Sequence, residues 1–134
     1  MDQVVKALVP WNLPEYKEKE VNKMKYLVTM ELMGTPPATS PQEMVQWLEQ
    51  IVIPSEEAMI RLEAEKKILA GGDLSGRRGW AFIMEAASNE ELARLLSSIP
   101  QWPLLKVDVT PLHSCEENLA QIRQAVEQMK TAQK

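Results

Sequence analysis

The segment from Gly71 to Leu112 constrains the fold of this chain more than any other. It opens on paired glycines and a short polar turn, then continues as an apolar run from Gly79 to Ala86. An amphipathic stretch over 88–99 follows, closed by Pro100, and residues 105–109 then alternate strictly between apolar and polar. A strand, a crossover helix and a second strand within about thirty residues is a split βαβ unit. The expectation is an α+β domain whose sheet carries its helices on one face. Small domains of this type pair their sheets and enclose a cavity for small molecules.

Bulk properties narrow the functions such a domain can serve. At 134 residues the chain suits one domain with one core, and its 45% apolar content is ordinary for a globular protein. The net charge of -4 and a pI near 5.1 leave no electrostatic footprint for nucleic acid. The densest basic clusters, Lys66-Lys67 and Arg77-Arg78, are too small to track a phosphate backbone. One cysteine, Cys115, and one histidine, His113, exclude an internal disulfide, a cysteine-based zinc site and any site built on several imidazoles. No metal and no cofactor is expected. No apolar run approaches the roughly 20 residues a membrane-spanning helix needs. The N-terminal VVKALV is too short for a secretory core and runs into Pro10 and charges. A cytoplasmic protein without membrane or nucleic-acid partners is expected.

Residues 1–23 read as an extension, with Pro10, Pro14 and a charged run ahead of a single domain over 24–134. The first strand is expected over 25–33. Tyr26, Val28, Met30 and Leu32 make one purely apolar face of it, to lie under the helices. Leu27, Thr29 and Glu31 make a mixed face, to look into a cavity or a second sheet. Three helix starts share the pattern S-x-x-E: Ser40 with Glu43, Ser88 with Glu91, and Ser114 with Glu117. The helix begun at Pro41 is expected to run toward Ala70, to break or kink at Pro54, to be recapped by Ser55, and to end at Gly71-Gly72. A last helix over 115–130 carries a narrow stripe of Leu119, Ile122, Val126 and Met129, suited to packing on a subunit or along the outside of the sheet.

The element order, together with MKYLVTMEL at 24–32 and LLSSIPQWPLLKVDVTPL at 95–112, resembles the muconolactone isomerase family. The GGDLSG turn at 71–76 is similar to that of the YCII-related proteins of the same superfold. The resemblance covers about residues 24–113. It implies a ferredoxin-like split βαβ sandwich that assembles as a dimeric α+β barrel, here with an N-terminal extension and an extra C-terminal helix. It further implies a homodimer or higher homo-oligomer acting on a small-molecule substrate by cofactor-independent proton transfer, as an isomerase, cyclase or lyase. The histidine and lysine that the family carries inward on its first strand fall at Leu27 and Thr29 in this chain.

Proton transfer at carbon needs a group that takes a proton and one that returns it, and a carboxyl whose pKa is raised by burial can do both. Glu31, on the mixed face of the first strand, is the first candidate, against a plain surface role at the sheet edge. Asp108, which alternates with Lys106 in the last strand, can meet Glu31 across the sheet or can belong to a solvated face. Glu57, paired with Arg61 one helical turn on, follows the proline break, and the ordinary reading of that pair is a surface ion pair. His113, the only imidazole, lies just past the last strand. Thr29, Arg61, Arg77, Trp80 and Trp102 are the candidate substrate-binding residues. Arg77 and its neighbour Arg78 can clamp a carboxylate, and the tryptophans can line an apolar pocket or simply form core. A non-catalytic small-molecule-binding or assembly module of the same fold is the alternative function.

Overall fold

The structure, a computed structural model, describes residues 23–133. The expected extension over 1–23 therefore lies outside the described residues, Lys23 excepted. Four strands form one antiparallel sheet: β1 (Met24–Leu32), β2 (Ile68–Asp73), β3 (Gly79–Ala86) and β4 (Leu105–Leu112). Their spatial order is β2-β3-β1-β4. Each crossover thus joins two strands that flank a third, and this is the split βαβ of a ferredoxin-like α+β fold. Helices α1 (Pro41–Trp47) and α2 (Ile53–Ala64) connect β1 to β2, α3 (Asn89–Ser97) connects β3 to β4, and α4 (Cys115–Ala132) follows the sheet.

Strand alternation sorts the core as expected. Tyr26, Val28 and Met30 of β1 and Phe82 and Met84 of β3 are 0–3% exposed. They pack with Met59 and Leu62 of α2 and with Leu92, Leu96 and Ile99 of and just past α3. Leu27, Thr29 and Glu31 point the other way, opposite Ile83, Ala81 and Gly79 of β3 and opposite Thr110, Asp108 and Lys106 of β4. Among the described residues, no helix covers that face with buried side chains.

All three S-x-x-E sites start helices. The serine hydroxyl accepts from the glutamate N–H at Ser40, Ser88 and Ser114. Only Ser114 with Glu117 closes a full capping box. Glu43 and Glu91 reach one residue further back, accepting from the N–H of Thr39 and of Ala87.

Three expectations in the connection from β1 to β2 are corrected. The helix does not break at Pro54. It widens into a π-helical turn over Leu48–Val52, with the Ile53 N–H reaching back to the Leu48 carbonyl, and resumes as α2. A π turn re-spaces the backbone bonds, which lets a proline sit within a continuous helix. Ser55 is not a recap. It is fully buried and donates to the Ile51 carbonyl while accepting the N–H of Gln101. The helix also ends at Ala64, well short of Gly71. Lys66 takes a left-handed conformation with φ 62°, and the chain then enters β2. Gly71 and Gly72 are strand residues, and Gly71, with φ 114°, follows a bulge opposite β3 where a Cβ would run into the Ala81 carbonyl oxygen.

Candidate active site

At one end of the sheet, where β1 finishes and β4 begins, the π turn, α2 and the β2–β3 hairpin surround a cavity of about 260 Å³. Its position follows from local rules. Pro54 and the π turn place Glu56 in the first turn of α2. Asp73 and Trp80 are direct partners across β2 and β3, so their side chains share a face. The buried Ser55 hydroxyl ties the helix to Gln101 on the approach to β4, and that tie closes the opposite wall.

The polar groups converge. The Trp80 indole N–H donates to Glu56 Oε1 at 2.9 Å. Burial pushes the Glu56 carboxyl above its ordinary pKa. The neighbouring Asp73 carboxylate adds to the shift by repulsion and by accepting a hydrogen bond from protonated Glu56, while the Trp80 N–H opposes it. Arg77 and Arg78 also line the cavity. So do Trp47 and Gln101, whose buried Nε1 and Oε1 have no hydrogen-bond partner among the described residues. Buried polar atoms without partners are uncommon, and here a donor and an acceptor of this kind border the same space. The arrangement offers a carboxyl pair able to hold and pass one proton, an indole donor that fixes it, and cations at the hairpin.

Of the residues singled out from sequence, Arg77 and Trp80 belong to this cavity. Glu57 is displaced from it by one position, beside Glu56 in sequence but outside the lining, and Arg61 is exposed one turn on. A helical projection anchored on buried Ser55, Met59 and Leu62 leaves Glu56 at the border of the stripe that faces the core. The spacing carries that signal only when the helical phase is continued through Pro54. Trp102 is half-buried and packs against the core cluster. His113 is exposed at the far end of β4, about seven strand residues or roughly 25 Å from the cavity end.

Glu31, Thr29 and Asp108 do come together, on the uncovered face. Thr29 opposes Asp108 and Glu31 opposes Lys106 in register. With Arg77 they line a second cleft of about 200 Å³. Arg77 reaches Glu31 at 3.6 Å, with side chains 70% and 48% exposed. Arg77 thus borders both clefts. Among the described residues no cluster of three or more His, Cys, Asp or Glu is placed to hold a metal ion, and no helix is long and apolar enough to cross a membrane.

No curated protein matches the chain significantly. Solved structures to which the chain is similar include the leucine response regulatory protein of Mycobacterium tuberculosis, 16% identical, with 83% of this chain and 62% of that one covered and a TM-score of 0.42. Another is a feast or famine regulatory protein of M. tuberculosis complexed with L-methionine, 16% identical over 84% of this chain and 63% of that one, at a TM-score of 0.41. The chain spans less than two thirds of the length of these proteins. The sequence model of muconolactone delta-isomerase matches residues 24–118, from the first residue of β1 into the first turn of α4. With that match across the whole sheet and its helices, the chain belongs to the muconolactone delta-isomerase family, whose members are dimeric α+β barrels.

Proposed function

We propose that the chain is a cofactor-free enzyme that moves a proton within a small, mostly apolar organic molecule, as an isomerase, cyclase or lyase, with Glu56 as the proton carrier. The observation that carries this reading is the Glu56 carboxyl, held above its ordinary pKa by burial and by Asp73 and oriented by the Trp80 N–H. A carboxyl whose pKa is raised can take a proton from a carbon beside a carbonyl and deliver it to another carbon of the same conjugated system. The negative charge that develops on the carbonyl oxygen needs a donor, and the Trp47 Nε1–H, unpartnered among the described residues, is one. Arg77 and Arg78 supply positive charge at the hairpin for an acidic substituent. Gln101 offers a further polar contact for orientation.

The same reading includes a cytoplasmic homo-oligomer built through the uncovered sheet face, where Leu27 and Leu112 are 39% and 41% exposed. Such assembly would cover the cleft of Thr29, Glu31, Arg77 and Asp108. For that reason Glu31 is the second candidate base, with Asp108 beside it.

Hydrogen–deuterium exchange and double-bond migration in muconolactone and related unsaturated five-membered lactones, followed by NMR in D2O, test the assignment. Glu56→Gln keeps the Trp80 hydrogen bond and removes the base, so exchange should slow by roughly a hundredfold or more. Glu31→Gln should change it by less than about threefold. The reverse ranking would move the chemistry to the sheet face. Binding without exchange by the unaltered protein would favour a binding module over an enzyme.

A further inference from the structure

Helix α4 lies almost wholly beyond the family match, which ends at residue 118, so its role is not set by the fold it follows. It runs for 18 residues, Cys115–Ala132, and has no buried residue. Leu119, Ile122, Val126 and Met129 are 48%, 51%, 41% and 63% exposed. Their spacing of three, four and three residues is the seam of a two-stranded coiled coil, narrower than the stripe a helix presents to a globular core. Cys115 and Gln133 extend the same repeat by one position at each end.

The charges say which partner fits. Glu116 lies at the start of the helix, Lys130 at its end and Arg123 midway, all on one flank of the seam. Ala125, a small residue, lies on the other flank. Laid antiparallel on a copy of itself, the seam matches Leu119 with Met129 and Ile122 with Val126. It sets Glu116 of each helix beside Lys130 of the other, two ion pairs against one central approach of the two Arg123 side chains, which reach outward to solvent, and the two Ala125 methyl groups permit close approach on the other flank. The helix dipoles also oppose one another favourably. In a parallel pair the charged flank would instead meet the uncharged one, Asn118 and Ala125, and no ion pair would form.

We propose that α4 is a self-association helix, pairing antiparallel with α4 of a second copy through Leu119, Ile122, Val126 and Met129, with Glu116–Lys130 ion pairs at both ends. This contact is separate from the sheet face and stands whether or not the proton-transfer reading holds.

Cross-linking of the full chain tests it. Antiparallel pairing brings Cys115 beside position 133 of the second copy, whereas within one helix those positions are roughly 27 Å apart, far beyond disulfide reach. Under mild oxidation, Gln133→Cys should give a covalent dimer in which the native Cys115 thiol of each copy is joined to the thiol introduced in the other. Adding Ile122→Glu and Val126→Glu should reduce its rate of formation at least tenfold while circular dichroism of the body is retained. Glu116→Lys or Lys130→Glu alone should slow cross-linking, and the double reversal should restore it. Links between the two Cys115 thiols, the absence of a covalent dimer, or a rate indifferent to the seam substitutions would each overturn the proposal.

Discussion

The two faces of the sheet are made by the same strands and behave as different materials. On the covered face Val28 and Met84 are wholly buried and Phe82 is 3% exposed. One residue along, Leu27 is 39% exposed. The covered face is closed by the chain's own helices, so its side chains contribute to the stability of a single subunit. The open face has no such cover among the described residues, and its apolar side chains contribute only when another surface meets them. The desolvated carboxyl lies in neither layer's centre. It lies where the covered layer frays at the ends of β1 and β4, and where a π turn and a hairpin leave space.

Neighbouring substitutions can break this contrast. Phe82→Ala empties a site lined by Met59, Leu62 and other core side chains and should cost about 3–5 kcal/mol. Ile83→Ala, next in sequence and on the open face, should cost about 1 kcal/mol in urea unfolding at nanomolar concentration, with a larger, concentration-dependent cost once subunits associate. Equal costs at high dilution would mean that the open face is covered within one subunit.

The bulge in β2 gives a second contrast between neighbours. Gly71→Ala combines a left-handed φ with a clash against the Ala81 carbonyl and should cost about 2–4 kcal/mol. Gly72→Ala meets nothing within 4 Å and should be close to neutral or slightly stabilising. Comparable melting temperatures for the two variants would show that the bulge relaxes without penalty.

The layers were legible in the sequence because alternation has a period of two and names both faces of β1 at once. The helix starts were legible because a serine followed three residues later by glutamate is a local device. β2 was not, because ILAGGD at 68–73 lacks the alternation and β-branched density of the other strands and follows a helix without an obvious stop. Its stop is Lys66 in a left-handed conformation, a residue type that gives no warning of it. The cavity was half legible. Arg77 and Trp80 lie on a strand and hairpin whose register could be read. Glu56 depends on how a helix passes a proline, and reading a break there loses the phase that separates Glu56 from Glu57. Gln101 is positioned by Ser55, a partner 46 residues away, and no local pattern carries that tie.

The smallest expected effect concerns the site itself and separates the two carboxyls by sign. The folded state raises the Glu56 pKa, through burial first and Asp73 second, so the folded protein holds that proton more tightly than the unfolded chain does. The associated stability is fully present below the unfolded pKa and is lost as pH rises through the raised folded value. Glu56→Gln cannot ionise and loses nothing over that window. Its amide still accepts from Trp80 and can donate to Asp73. The melting temperature of the variant minus that of the parent should therefore increase as pH rises from below the ordinary carboxylate range through the raised folded value, by no more than about a few degrees. Glu31→Gln removes only an exposed ion pair with Arg77 and should change the melting temperature little. A difference for Glu56→Gln that shrinks as pH rises would mean that Arg77 and Arg78 hold Glu56 ionised. It would then be a fixed anion in the resting protein and not the carrier of an exchangeable proton.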